Sequence, residues 1–254
     1  MSDEAARSAL SKVPAVTLGF WAIKVLATTL GETAGDTLSM SLNLGYLLST
    51  GIFLSLLVVL ALWQIASDRF RPTLYWATII ASTTAGTTLA DFATRSMGVG
   101  YLGGSLILAA GVMLSLAIWR WKLGAISADD IHAPAAERFY WVTITLSQTL
   151  GTALGDWTAD TGGLGYLGAA AVFAGLLAVV AGLYYRTSIS RIALFWAAFV
   201  LTRPLGAAVG DWLDKPLDHG GLALSRPAAS AALALAIITL LFILPQRAGR
   251  QGQA

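Results

Sequence analysis

Apolar runs of about 20 residues alternate with short polar breaks along almost the whole chain, without the every-second-residue alternation of a barrel strand. At about 1.5 Å per residue such a run crosses a hydrocarbon core roughly 30 Å thick. The pattern predicts eight helices, at residues 17–36, 45–66, 73–92, 100–120, 138–157, 165–185, 192–212 and 222–244. Only helices and closed barrels satisfy their backbone in lipid, so the expected fold is all-α and polytopic.

Two kinds of run alternate. GYLLSTGIFLSLLVVLALW and GYLGAAAVFAGLLAVVAGLYY carry almost nothing polar, whereas the run before each carries Thr, Gln, Glu, Lys, Arg or Asp. The polar kind recurs in register as WAIKVLATTLGETAGD (21–36), WATIIASTTAGTTLAD (76–91), WVTITLSQTLGTALGD (141–156) and WAAFVLTRPLGAAVGD (196–211). Successive copies lie 55, 65 and 55 residues apart. Such a period means one two-helix unit used four times, each stacking on its neighbours.

An even helix count makes the units parallel, with the four first helices expected around a central axis and the four second helices outside them in lipid. The expected division is an N-terminal segment 1–16, repeats at 17–66, 73–121, 138–186 and 192–244, a linker at 122–137 and a tail at 245–254. Gly31/Gly35, Gly86/Ala90, Gly151/Gly155 and Gly206/Gly210 are small-xxx-small pairs that allow close helix approach. Trp21, Trp76, Trp141 and Trp196, one turn into the first helices, are expected as interfacial anchors. Tyr46, Tyr101 and Tyr166 should serve the same purpose at the opposite boundary.

Composition supports an integral membrane protein, with 56% hydrophobic and 12% charged residues. Without cysteine there are no disulfides, thiolate ligands or cysteine nucleophiles. Arg7, Lys12, Arg69, Arg71, Arg120, Lys122, Arg138, Arg186, Arg191, Arg247 and Arg250 fall at the termini or between repeats, while loops inside repeats hold essentially Arg95 and Lys215. The positive-inside rule therefore places both termini in the cytoplasm. The basic residues form no stripe, so nucleic acid is not an expected partner. Asp3 and Glu4, with no small-residue cleavage site, argue against a removable signal peptide.

Superposing the four copies gives polar layers. The outermost is Asp36, Asp91, Asp156 and Asp211; about 6 Å deeper lie Glu32, Thr87, Thr152 and Ala207. Deeper again come Thr29, Thr84, Thr149 and Pro204, beside Thr28, Thr83, Gln148 and Arg203, and Lys24 is alone in its layer. Repetition fits either a working ring of aspartates or four inherited helix-end caps. Against caps, a carboxylate at a helix C-terminus opposes the macrodipole by ~0.3–1 kcal/mol. A bound cation, a shared proton or the Arg203 and Lys24 side chains would relieve repulsion in such a ring.

Glu32, Lys24, Gln148 and Arg203 each depart from their equivalents by acquiring a charge or an amide. An ionisable group within a span costs about 2.5–3.5 kcal/mol on insertion scales, so it should be paired and is a functional candidate. A structural ion pair between Glu32 and Arg203 is the plain alternative. Pro204 should kink its helix and free carbonyls nearby. His132 and His219 are expected as solvated loop residues; Asp160, Asp214 and Asp218 are either solvated loop charges or a negative outer mouth. Carboxylate, hydroxyl, amide and carbonyl oxygens without soft donors suit a hard cation or protons, with Glu32, Asp36, Asp91, Asp156 and Asp211 as the candidate metal ligands.

The four W…GD copies resemble a bacterial membrane-protein family of four tandem repeats of unknown function, each with two transmembrane regions and a tryptophan. That resemblance covers nearly all of 21–244 and implies the eight-span architecture and a bacterial inner membrane, with no substrate. GETAGD at 31–36 is also similar to the Glu-x-Gly-Asp helices of manganese and calcium exchangers, although two residues separate Glu32 from Gly35 and the other copies lack the glutamate.

The resulting expectation is a secondary transporter of a small hard cation, such as Mn²⁺, coupled to protons or another ion and needing no cofactor. Lipid and the cation are its partners. Neutral oxygens would come from Thr28, Thr29, Thr83, Thr84, Thr87, Thr149, Thr152 and Gln148, with Lys24 and Arg203 as built-in counter-charges. Two rivals stand beside it: an anionic or organic substrate held by Lys24 and Arg203, and a structural or sensory protein that transports nothing. No Ser-His or HExxH arrangement supports an enzyme.

Overall fold

Eight α-helices form among the described residues of the computed structural model, which are 10–124, 126, 131 and 133–250. Asp3, Glu4, Arg7, His132 and the Arg250 side chain, weighed above, lie outside that set. The helices are α1 Leu18–Asp36, α2 Gly45–Ala66, α3 Pro72–Asp91, α4 Tyr101–Leu123, α5 Pro134–Asp156, α6 Gly165–Arg186, α7 Arg191–Asp214 and α8 Arg226–Ile243. Pro72 and Pro134 open α3 and α5 at positions whose N–H has no partner within the helix, so α5 starts earlier than its polarity suggested. Helix α8 starts later than expected. The amides of Leu222, Ala223 and Leu224 bond instead to the Trp212, Lys215 and Leu213 carbonyls at 2.7, 2.9 and 2.9 Å, with Ala223 at φ +53°.

The four polar helices α1, α3, α5 and α7 form a closed ring in which each packs on the next and α7 returns to α1. Every outer helix packs on the inner helix of the following unit: α2 on α3, α4 on α5, α6 on α7, and α8 on α1. No unit therefore covers its own polar helix, and the last unit is needed to shield the first. Five helices, α2, α4, α6, α7 and α8, are long and apolar enough to cross a membrane. The outer ones present large apolar side chains, such as Leu47 at 65%, Ile107 at 67% and Phe242 at 86% exposure, as a surface bathed in lipid would. Helices α1, α3 and α5 fall below that threshold because their hydroxyls and acids, buried between helices, dilute the run.

Glycine sets the ring spacing, and the pattern is cyclic. A Cβ on Gly31 would strike the Thr83 side chain, one on Gly151 the Arg203 stem, and one on Gly206 the Thr28 side chain, while one on Gly86 would lie 2.9 Å from the Gln148 backbone. Each of these inner-helix glycines thus receives the equivalent layer residue of the next inner helix. Gly206→Val is expected to lower stability by about 1–3 kcal/mol through overpacking. Gly175→Ala, on α6 with nothing within 4 Å, should leave the unfolding midpoint unchanged or raised.

At the end carrying the inter-unit connections, strand β1 (Leu10–Pro14) pairs antiparallel with β2 (Ala248–Arg250). Lys12 Nζ there donates to Glu137 Oε1 at 2.6 Å and to the Ile65 carbonyl at 3.1 Å. The same end corrects the expectation for the recurring tryptophans: Trp76, Trp141 and Trp196 are buried, and Trp21 is half-buried. Two of the ring N–H groups have acceptors within the protein: Trp76 Nε1 donates to Gln246 Oε1 and Trp196 Nε1 to the Ile126 carbonyl. Centroid distances of 5.5 Å for Phe20–Trp76, 5.9 Å for Tyr75–Trp141, 6.3 Å for Tyr140–Trp196 and 5.9 Å for Trp21–Phe195 link all four inner helices. Aromatic side chains close the axis here as a floor, with the Tyr75 and Tyr140 hydroxyls 2.6 Å apart. Tyr46, Tyr101 and Tyr166, towards the other end, are half-buried.

Candidate functional site

Arg203 occupies the middle of the ring and is fully buried. From α7 it reaches the other three inner helices: Nη2 donates to Glu32 Oε2 at 2.8 Å on α1, to Thr87 Oγ1 at 2.5 Å on α3 and to Thr152 Oγ1 at 2.5 Å on α5. Nη1 donates to the Thr28 carbonyl at 3.3 Å. The planar, multi-donor guanidinium is the side chain that can hold four helices at once. Helix α7 runs unbroken through Pro204, which packs its ring against the position of Gly151. The Glu32–Arg203 ion pair weighed as the plain alternative is present, embedded in hydroxyls contributed by equivalent positions of two other units.

One turn further out, Asp36, Asp91, Asp156 and Asp211 are all buried. They are not caps. None of Asp36, Asp91 or Asp156 makes a side-chain cap hydrogen bond to the turn that follows it; α1, α3 and α5 instead widen into π-type turns at Thr37–Ser41, Phe92–Ser96 and Trp157–Thr161. Two cations clasp the carboxylates. Arg95 Nε lies 3.0 Å from Asp91 Oδ1 and Arg95 Nη2 3.1 Å from Asp156 Oδ2. Lys215 Nζ lies 2.6 Å from both Asp36 Oδ2 and Asp211 Oδ1, and 3.5 Å from Asp214 Oδ1. Arg226 completes the group, 3.2 Å from Asp214 Oδ2 and 3.7 Å from Asp36 Oδ2.

Three overlapping triads, Glu32/Asp156/Asp211, Glu32/Asp36/Asp91 and Asp36/Asp211/Asp214, each offer carboxylate oxygens within 4.8 Å of one another. Six acids thus form one connected cluster facing four cations, Arg203, Arg95, Lys215 and Arg226. Asp156 Oδ1 is buried and takes no hydrogen bond. Of the two counter-charges expected, Arg203 meets the acids through Glu32 and Lys24 does not. Lys24 lies away from the acids, its ammonium 4.2 Å from the centre of the Phe199 ring, because its position is three turns of helix below the aspartates. Asp214, weighed as a solvated loop charge, is buried, since α7 carries it inward beneath Arg226. Asp160, Asp218 and His219 are exposed.

The threonines divide. Thr87 and Thr152 join the Arg203 centre, and Thr28 donates to the Thr202 carbonyl across the ring at 3.1 Å. Thr29, Thr84 and Thr149 turn back on the carbonyls of Val25, Ile80 and Thr145 in their own helices, at 3.0, 2.8 and 2.9 Å. Their layer is shared, but each hydroxyl proton is committed to its own helix. Thr83 and Gln148 are buried without a partner for Thr83 Oγ1 or for either amide atom.

The model of the family described as "Repeat of Unknown Function (DUF347)" matches this chain four times, at residues 19–70, 74–123, 139–190 and 194–248. The chain belongs to the DUF347 family. Searches of curated proteins and of solved structures each find nothing that matches. In the DUF347 frame Arg95 and Lys215, which the sequence reading used only for orientation, fall at the same place, four residues after the in-register aspartate of repeats two and four. The equivalents in repeats one and three are Met40 and Asp160. Each cation spans its own repeat's aspartate and that of the next, so four DUF347 units carry a charge pattern that repeats only twice. The signal for both was an i, i+4 acid–base spacing. Arg226 and Asp214 had no such signal, because only the fold-back of 222–224 brings them together.

Proposed function

We propose that the protein is a secondary transporter moving a small hard cation, Mn²⁺ or a similar divalent ion, across a bacterial inner membrane, with protons or another ion exchanged on the same carboxylates. One observation carries this reading: acids from all four inner helices meet in a single buried cluster. Two ligands on opposite sides of a Ca²⁺-sized ion at about 2.3–2.6 Å stand roughly 4.6–5.2 Å apart, and those of a smaller divalent ion closer. Oxygens within 4.8 Å of one another are therefore near enough to share one cation. In this reading all eight helices span, both termini are cytoplasmic, and α1, α3 and α5 tolerate lipid because other helices shield their polar faces. Arg95 and Lys215 are the counter-charges an incoming ion displaces; Thr87 and Thr152 supply neutral oxygens. The Arg203 guanidinium across the axis and the aromatic floor beneath it favour a carrier with gates over an open channel.

The test is cation flux into proteoliposomes. Glu32→Gln and Asp36→Asn are each expected to lower the initial rate at least tenfold while both variants purify as folded protein. Wild-type turnover in both would remove the proposal. The mutual pairing of the charges favours a second reading, a ring held shut by a structural interlock. Folded wild-type protein that moves none of a panel of mono- and divalent cations would select it.

A further inference from the structure

On the floor side of the Arg203 guanidinium, every inner helix contributes at least one buried hydrogen-bond donor without a hydrogen-bond partner. These are Lys24 Nζ on α1, Thr83 Oγ1 on α3, the Gln148 amide on α5 and Arg203 Nε on α7, with the Ser82 and Ser147 hydroxyls one residue before Thr83 and Gln148 also unpartnered. Lys24, Thr83, Gln148 and Arg203 are fully buried. Thr83, Gln148 and Arg203 hold equivalent positions, each seated against a glycine of the preceding unit, so they share one level of the ring. Lys24 lies one turn below Thr28, the fourth member of that level. Its ammonium is 4.2 Å from the centre of the Phe199 ring, and Phe199 is one turn below Arg203. The other residues at the lysine's level, Ile79 and Ile144, are apolar and fully buried.

Buried polar groups in folded proteins are nearly always hydrogen-bonded, so four such donors at neighbouring levels ask for a ligand. The acids belong to the layers above, and among the described residues no carboxylate pairs with Lys24. Two of the four donors belong to cationic groups, and the acceptors on offer are the Gln148 Oε1 and Thr83 oxygens. An acceptor-rich, negatively charged guest fits that balance. We propose that this level of the axis binds a small monovalent anion, a halide or a compact oxyanion, held by the Lys24 ammonium, Arg203 Nε–H, the Gln148 amide and the Thr83 hydroxyl. Arg203 then faces Glu32 with Nη2 on one side and the anion with Nε on the other. The site stands apart from the carboxylate cluster and does not depend on cation transport.

The experiment is thermal unfolding of the purified protein in detergent, titrated with bromide, nitrate or formate at constant ionic strength against gluconate. A saturable rise in Tm with at least one small anion is expected, with apparent affinity weakened at least tenfold in both Lys24→Met and Gln148→Leu. Any stabilisation by Mn²⁺ should survive in those variants, since neither position touches the acids. Crystals grown in bromide should show its anomalous peak between Lys24 and Gln148, which tests the site even if a variant fails to fold. No anion-specific shift in the wild type, an equal shift in both variants, or bromide bound only elsewhere would each overturn the proposal and leave water as the occupant. Loss of the anion effect with Mn²⁺ binding intact would leave the cation reading standing.

Discussion

Replacing Arg203 with methionine is expected to destabilise the folded protein by roughly 3–5 kcal/mol, the usual result of stranding one member of a buried ion pair. Methionine keeps much of the stem that packs on Gly151, so the change isolates the guanidinium. Glu32 would be left buried among Asp36, Asp156 and Asp211 without the one cation that pairs with it among the described residues. Thr87 and Thr152 would lose the donor that joins their helices to α7. The second replacement, Glu32→Gln, should then recover a large part of the loss, because it removes the stranded charge. Arg203→Lys should recover little, since one ammonium cannot match the planar fork that meets three side chains and a carbonyl. Unfolding midpoints for the two single variants and the double variant check this. A loss under about 1 kcal/mol for Arg203→Met would mean that the four-helix junction does not hold the ring together.

The period of the polar runs made the ring legible, because a helix carrying Thr, Glu and Asp in a membrane has to face its own kind. The direction of stacking was not legible. That α2 covers α3, and that α8 returns to cover α1, depends on connection geometry, which residues 37–44 or 92–100 do not spell out. Glu32 and Arg203 stood out as singular charges at neighbouring depths, and their pairing follows from the cost of leaving either alone. Trp76, Trp141 and Trp196 show the opposite case: an amphipathic ring near a helix end suits a headgroup boundary and a packed aromatic floor equally well.

Register did not say where the hydroxyl protons of Thr29, Thr84 and Thr149 go. A threonine in a helix can bond its own i−4 carbonyl or reach across to a neighbour, and the sequence carries no signal between the two. Arg95 and Lys215 were visible but were read as loop charges bearing on orientation. Their i, i+4 relation to Asp91 and Asp211 was the signal, and the contacts at 3.0 and 2.6 Å bring them to those carboxylates. Asp214 and Arg226 required the turn at 221–224, where Gly221 has no room for a Cβ beside the Lys215 carbonyl.

Replacing Lys215 with methionine is expected to tighten divalent-cation binding at least tenfold, a gain where loss of a charged residue in a site more often weakens it. The ammonium lies against Asp36, Asp211 and Asp214, the three acids of one cation-sized triad, so in the resting protein it holds the place of the ion. Without an added cation the variant should be less stable than the wild type by roughly 3–5 kcal/mol, since only Arg226 remains near Asp36 and Asp214. A cation at about a hundred times its Kd should return about 2.7 kcal/mol, so the unfolding midpoint of the variant should climb with cation concentration more steeply than that of the wild type. Arg95→Gln should act in the same direction at Asp91 and Asp156 with a smaller effect, because Arg95 is 30% exposed against 10% for Lys215 and water already screens part of its charge. Equal cation affinity in the wild type and the Lys215 variant, measured by calorimetry, would mean that the ammonium and the ion do not compete for one place.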